Sequence, residues 1–190
     1  MKNKLLLHIC CAPDEAWVIK TLKNDFELHA FFCNPNIQPK SEYLKRLNEA
    51  KKVADLYNVP FDSDPYDPSS WEKAIEDHKD TKEGGTRCLK CFDLRLEQSA
   101  KFCKNIGWES FTSVMSISPH KNINMLNLAG KNAADNHGVA FEPYNFKKKN
   151  GFLNSIKLCN ELNLYRQDYC GCRLSRDERD LRNSSEKKEI

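Results

Sequence analysis

Nine cysteines stand in this 190-residue chain, and six of them come as three close pairs: Cys10-Cys11, Cys88-x-x-Cys91 and Cys170-Gly171-Cys172. Close pairs do not clip distant loops together unless they cross-pair; they suit the holding of a metal or the exchange of electrons. The odd cysteine count and a length that can bury a core without staples argue against a secreted disulfide scaffold. Cys10, Cys11, Cys88 and Cys91 together supply four sulfurs, the number a cubane iron–sulfur cluster needs, and zinc would accept the same four. Glycine between Cys170 and Cys172 allows a tight bend and a small-ring, strained, readily reduced disulfide, which suits an electron relay. Asp14 lies in the next turn after Cys11. It can serve as an oxygen ligand to a metal, as a proton carrier, or as a plain helix-start carboxylate.

Other residues offer weaker chemistry. Cys33 falls at a strand end near the same crevice, and its role is open. Cys103 and Cys159 lie on apolar helix faces and read as core fillers. His8, inside a strand, reads as a hydrogen-bonded core histidine. Ser118-Pro119-His120-Lys121 precedes a helix and can hold a phosphate or simply cap that helix. Arg87 and Arg95, and the run Lys147, Lys148 and Lys149, can meet a nucleic-acid backbone, with solvated surface the default for the lysines.

The elements that must position these groups alternate. Strands are expected over 5–9, 28–33, 59–61, 110–114 and 139–141. Helices are expected over 13–24, 43–57, 71–78, 88–103, 122–136 and 151–163. Residues 5–9 are apolar at nearly every position, as in a parallel strand covered on both faces. Tyr43, Leu47, Ala50, Ala54 and Tyr57 recur at helical spacing. Such alternation predicts a parallel α/β layer fold, in which ligands bind beyond the carboxyl ends of the strands. Cys10 and Cys11 fall at such an end, Cys33 at another and Ser116 just after a third. A single domain is expected over 1–180, followed by a polar, frayed tail over 181–190.

Hydrophobic residues make up 39% of the chain and charged residues 30%, ordinary values for a soluble domain. No stretch approaches the ~20 apolar residues of a membrane span, and the apolar start reads as a buried strand rather than an export signal. A cytoplasmic protein is expected. A net charge of +3 permits contact with nucleic acid without arguing for it.

His8-x-Cys10-Cys11-Ala12-Pro13, Phe31-Phe32-x-Asn34-Pro35-Asn36-Ile37, Gly84-Gly85-x-Arg87-Cys88-x-x-Cys91-Phe92-x-x-Arg95-Leu96, Ser118-Pro119-His120-Lys121 and Tyr165-Arg166-Gln167-x-Tyr169-Cys170-Gly171-Cys172 occur in this order. From about residue 4 to residue 176 the chain thereby resembles the cobalamin-independent epoxyqueuosine reductases. The resemblance implies a Rossmann-like parallel sheet flanked by helices, akin to adenine-nucleotide α-hydrolase-like proteins. It implies reduction of epoxyqueuosine to queuosine at the wobble position of tRNA, the last step in making that base. It implies a [4Fe-4S] cluster on Cys10, Cys11, Cys88 and Cys91, an additional iron with Asp14 as a ligand, and a redox-active, disulfide-forming pair in Cys170 and Cys172. Two positions depart from the family pattern: Cys33 where tyrosine is common, and Asp14 where many members have cysteine. The second favours an oxygen ligand.

Removing the epoxide oxygen as water takes two electrons and two protons. The expected partners are a tRNA carrying epoxyqueuosine in its anticodon loop and an electron donor that the residues do not identify; no membrane is expected, and the oligomeric state is open. A basic rim with stacking aromatics is expected for the tRNA loop, with Trp71, Tyr169 and the three lysines as candidates. Two rivals compete. A zinc-binding structural or regulatory RNA-binding protein would use the same four sulfurs but has no need for Cys170 and Cys172. An ATP-using tRNA thiolase would want a glycine-rich phosphate loop where this chain has Cys10-Cys11-Ala12-Pro13-Asp14.

Overall fold

The computed structural model describes residues 2–186. Five parallel strands form one sheet in the order β3-β2-β1-β4-β5: β1 (Asn3–Ile9), β2 (Phe26–Phe32), β3 (Phe61–Ser63), β4 (Ser110–Ser113) and β5 (Ala140–Phe141). Central β1 pairs with β2 from Asn3↔Phe26 to Ile9↔Phe32 and with β4 from Leu6↔Phe111 to His8↔Ser113. Its side chains alternate between two cores. Leu5, Leu7 and Ile9 pack with Ala16 and Ile19 of α1 (Ala12–Leu22), Ala50 and Val53 of α2 (Lys40–Tyr57) and Leu158 of the later helix over Gly151–Glu161. Leu6 packs on the other face with residues of α4 (Thr86–Asn105) and α5 (Ile123–His137), chiefly Phe92, Leu96, Leu126 and Ala129. The apolar run of β1 therefore has the physical cause expected of it, a strand covered on both sides.

Connections run outward from β1 through β2 to β3, then return by α4 to β4 on the opposite side of β1. The order reverses at the carboxyl end of β1, where open α/β sheets leave a crevice.

Local chemistry moves several expected boundaries. β3 lies at Phe61–Ser63 rather than 59–61, because α2 is closed by Asn58 in the left-handed conformation (φ 54°) and Pro60 has no N–H to give to the ladder. The expected helix over 71–78 is two pieces. α3 (Pro68–Ala74) starts earlier, because the Asp67 side chain accepts from the backbone N–H groups of Ser69 and Ser70 and Pro68 occupies the first turn. A 3₁₀ turn over Glu76–His78 follows. After α6 (Gly151–Glu161), the chain ends in α7 (Arg173–Glu186). Residues 181–186, expected to be frayed, continue that helix; the remainder of the expected tail, 187–190, lies outside the described residues. α7 is polar and escaped detection by periodicity. Ion pairs from Arg87 to Glu178 and from Arg179 to Asp168 tie it down.

Candidate metal and redox centre

β1 ends at Ile9, and Cys11 is the N-cap of α1, with extended backbone (φ −167°, ψ 155°). This turn carries Cys10, Cys11 and Asp14 to the mouth of the crevice, beside the unpaired N–H groups of the first helical turn. Cys10 Sγ lies 3.8 Å from Cys11 Sγ and 3.7 Å from Asp14 Oδ2, and one ligand atom from each of the three falls within 4.8 Å of the others. The hydrogen bond with Cys11 draws Cys10 down to about 6, with Arg95, Arg46 and Lys121 helping against burial. The same hydrogen bond, then burial and the charge of Asp14, push Cys11 up. Burial, then the charge of Cys10, pushes Asp14 up. An anionic sulfur, a second thiol and a carboxyl facing buried cations form a donor set that fits a metal.

Cys88 and Cys91 enter from the start of α4. They do not join the other three at 4.8 Å spacing, but they share their electrostatic surroundings: burial pushes both thiols up, with the charge of Cys170 adding to it and Lys121 opposing it. The N–H of Gly84 donates to Cys88 Sγ at 3.2 Å, and Arg95 donates to Cys91 Sγ at 3.9 Å.

Cys170 and Cys172 are both free thiols. Arg46, buried on α2, holds their segment by donating to the Cys170 carbonyl at 2.9 Å and the Tyr169 carbonyl at 3.3 Å. Gly171 sits at φ 130°, and a Cβ there would meet Ile37 at 2.9 Å and Arg46 at 3.2 Å. The glycine is therefore needed for close packing as well as for the bend. Lys121 Nζ donates to Cys170 Sγ at 2.7 Å and to Glu83 Oε1 at 3.3 Å. A crevice of about 290 Å³ opens over Cys10, Asp14 and Cys170, walled by Phe152, Arg166 and Arg182.

Several expected roles change. Arg87 and Arg95 do not face nucleic acid: both are buried, Arg87 against the Thr81 carbonyl and Glu178, Arg95 against Asn34 Oδ1 (2.6 Å), the Cys33 carbonyl and Cys91. Trp71 is 1% exposed, packed with Ile75, Cys91 and Cys172, so it is not a stacking surface. Tyr169 lies between Arg46 and Arg179, each 5.1 Å from its ring, and donates to the Gln38 carbonyl. Ser118-Pro119-His120-Lys121 does not cap α5. Asn122 does, accepting from the N–H groups of Asn124 and Met125, and Lys121 turns inward. Cys33 is buried 3.6 Å from Asp64 Oδ2, and burial followed by that carboxylate pushes its thiol up. Cys103, Cys159 and His8 are core residues as expected; His8 bonds to Ser113 Oγ and to the Cys33 carbonyl. Lys147 donates to the Lys121 carbonyl, whereas Lys148 and Lys149 are exposed. Glu83, Arg46 and Ser175 were not anticipated. Arg46 carried a readable signal, an arginine on the buried stripe formed by Tyr43, Ala50 and Val53.

Fold and site together define a class: a Rossmann-like α/β protein with a thiol-rich candidate metal and redox centre at the carboxyl end of its central strand. The family model for epoxyqueuosine reductase QueH matches residues 5–178, and the chain belongs to that family. It is 38% identical over 178 residues to epoxyqueuosine reductase QueH of Thermotoga maritima, covering 92% of this chain and 91% of the relative. It is 36% identical over 180 residues to the Staphylococcus aureus protein of the same name, covering 90% and 75%. The chain is thus an oxidoreductase of tRNA queuosine biosynthesis that reduces epoxyqueuosine to queuosine. Among solved structures, it is similar to a predicted tRNA methyltransferase subunit of Methanocaldococcus jannaschii (TM-score 0.54, 14% identity, 84% of this chain and 76% of the other). It is also similar to the U34-tRNA thiolase NcsA of Methanococcus maripaludis with its [4Fe-4S] cluster (TM-score 0.53, 14% identity, 98% and 67%). Identities this low establish a shared fold alone. No helix among the described residues is long and apolar enough to cross a membrane.

Proposed function

We propose that this chain, as one domain over 1–180, reduces epoxyqueuosine at the wobble base of tRNA with a [4Fe-4S] cluster on Cys10, Cys11, Cys88 and Cys91. Asp14 offers an oxygen to an additional iron, and Cys170 and Cys172 form the dithiol that holds reducing equivalents. The observation that carries the reading is the gathering of Cys10, Cys11 and Asp14 within 4.8 Å at the start of α1, with Cys10 and Asp14 lining the crevice. The kinship to adenine-nucleotide α-hydrolase-like proteins and a cytoplasmic location belong to the same reading. So does a separate electron donor, which must return two electrons to the centre after each turnover.

When bound, such a centre supplies electrons and a Lewis acid for the epoxide oxygen. The chain's own residues do the rest. Arg95, Arg46 and Lys121 offset the negative charge of the thiolates in a buried setting. Trp71 and Ile75 close the side of Cys91 and Cys172 to water. Phe152, with Arg166 over its ring at 5.8 Å, offers a flat face at the crevice wall on which an unstacked base can lie.

Metal and acid-labile sulfide analysis of protein purified without oxygen tests the centre. About four irons and four sulfides, with a broad band near ~400 nm that dithionite bleaches, are expected; a fifth iron supports the adjacent site. Stoichiometric zinc without sulfide, persisting after anaerobic iron–sulfide reconstitution, would instead favour the zinc-binding protein. For the tRNA rim, neutralising exposed Lys148 and Lys149 to glutamine should weaken tRNA binding and flatten its dependence on salt. Unchanged affinity removes those lysines from the rim.

A further inference from the structure

Lys121, one of the cations that offset the thiolates, has a side chain only 11% exposed and borders the crevice. Its ammonium lies 2.7 Å from Cys170 Sγ and 3.3 Å from Glu83 Oε1. The other oxygen of Glu83 accepts from Ser175 Oγ at 2.9 Å, and that hydroxyl accepts from the backbone N–H of Cys170 at 3.1 Å. The N–H of Ser175 points to Cys172 Sγ at 3.4 Å. One network thus joins both thiols to a single ammonium–carboxylate pair, and it treats them unequally. Cys170 has a full cation at hydrogen-bond distance; Cys172 has one backbone N–H, the more distant charge of Arg87 and the apolar surroundings of Trp71 and Ile75. Burial, then the charge of Cys170, pushes Cys172 up to about 12.

We infer that Lys121 holds Cys170 as the anionic member of the dithiol and then gives a proton to the departing epoxide oxygen. This rests on the reading of Cys170 and Cys172 as the reducing dithiol. The step balances. The Cys170 thiolate and the Cys172 thiol form a sulfur–sulfur bond, releasing two electrons and one proton. The two carbon–oxygen bonds of the epoxide take up the electrons and break, and a carbon–carbon double bond forms. The oxygen leaves as water with the Cys172 proton and one from the Lys121 ammonium, so that thiolate and ammonium end as neutral disulfide and neutral amine. The timing follows from the surroundings of Lys121. Burial disfavours its ammonium, but the charges of Cys170, Glu83 and Cys88 outweigh burial and push it up. Disulfide formation removes the first of those charges and makes Lys121 a stronger acid when the proton is needed.

The test compares holoenzyme carrying the native residue, Lys121→Met and Lys121→Arg in glutathione buffers, with the Cys170–Cys172 state read by mass spectrometry. Losing a charge-assisted hydrogen bond to the reduced form should move Lys121→Met about tenfold toward the disulfide, a potential about 30 mV lower. Arginine keeps the cation and should stay within about threefold of the native equilibrium. It cannot release a proton, so single turnover of pre-reduced Lys121→Arg on epoxyqueuosine tRNA should still be slowed roughly 10²-fold or more. An unshifted equilibrium in Lys121→Met, or native turnover in Lys121→Arg, overturns the inference alone. A native enzyme that forms no Cys170–Cys172 disulfide overturns the dithiol reading together with it.

Discussion

Replacing Asp14 by alanine should cut the rate of epoxyqueuosine reduction by roughly 10²–10⁴-fold while most of the iron and sulfide stays bound. The four cysteine sulfurs proposed for the cluster are untouched by this change. What is lost is a carboxyl that stands beside Cys10, at 3.7 Å, and borders the crevice. Burial and the charge of Cys10 push that carboxyl up, so an unassisted anion is disfavoured there. It must either carry a proton or share its charge with a metal. Asp14→Asn separates the two uses, because an amide keeps an oxygen ligand but cannot exchange a proton. Activity in the asparagine variant assigns the ligand role; loss in both variants with iron retained assigns a proton to Asp14 and takes it from Lys121. Thermal stability should hold or rise, since a half-buried carboxyl with no cation in hydrogen-bond contact is removed. Full turnover in Asp14→Ala, with metal content measured in the same sample, would remove Asp14 from the mechanism.

Arg95→Met should have the larger effect on the fold. The guanidinium is 2% exposed and spans three partners: Asn34 Oδ1, the Cys33 carbonyl and Cys91. Asn34 in turn donates to the Ile9 carbonyl at 2.8 Å, so one side chain braces the ends of β1, β2 and α4 around the thiols. Methionine fills much of the volume but strands buried acceptors at about 1–3 kcal/mol each. A total of about 3–5 kcal/mol should lower the melting temperature by roughly 10 °C in a domain of this size. Iron retention should fall with it, because Arg95 also favours the anionic form of Cys10 and of Cys91. A melting temperature within a degree or two of the native value would show that the bracing is not needed.

How far the sequence could be read depended on range. β1 was legible because a strand buried on both faces must be apolar at nearly every position, and the helices from periodicity in one buried stripe. The cysteine pairs were legible because thiols are few and their spacing is local. Asp14 was legible for the same reason. What escaped depends on contacts between distant segments. Nothing near Lys121 announces that its ammonium will sit on Cys170, and nothing near Arg46 announces a bond to the same residue. Arg87 and Arg95 were read as groups able to meet a nucleic-acid backbone, which would need them at the surface. They are inside because buried carbonyls and thiols surround them. α7 was missed because its stability comes from ion pairs and docking rather than from an apolar stripe.

The sheet is complete at Phe141, but the wall that covers the thiols is built from the segment around Tyr165, Tyr169 and Ser175. On a ribosome, the strands and the residues carrying Cys10, Cys11, Cys88 and Cys91 emerge well before that wall exists. For that interval Cys10 and Cys11, side by side at the start of α1, lie without that wall, open to oxidants and to any soft metal ion. If the proposed centre is loaded in that interval, metal can enter without unfolding anything.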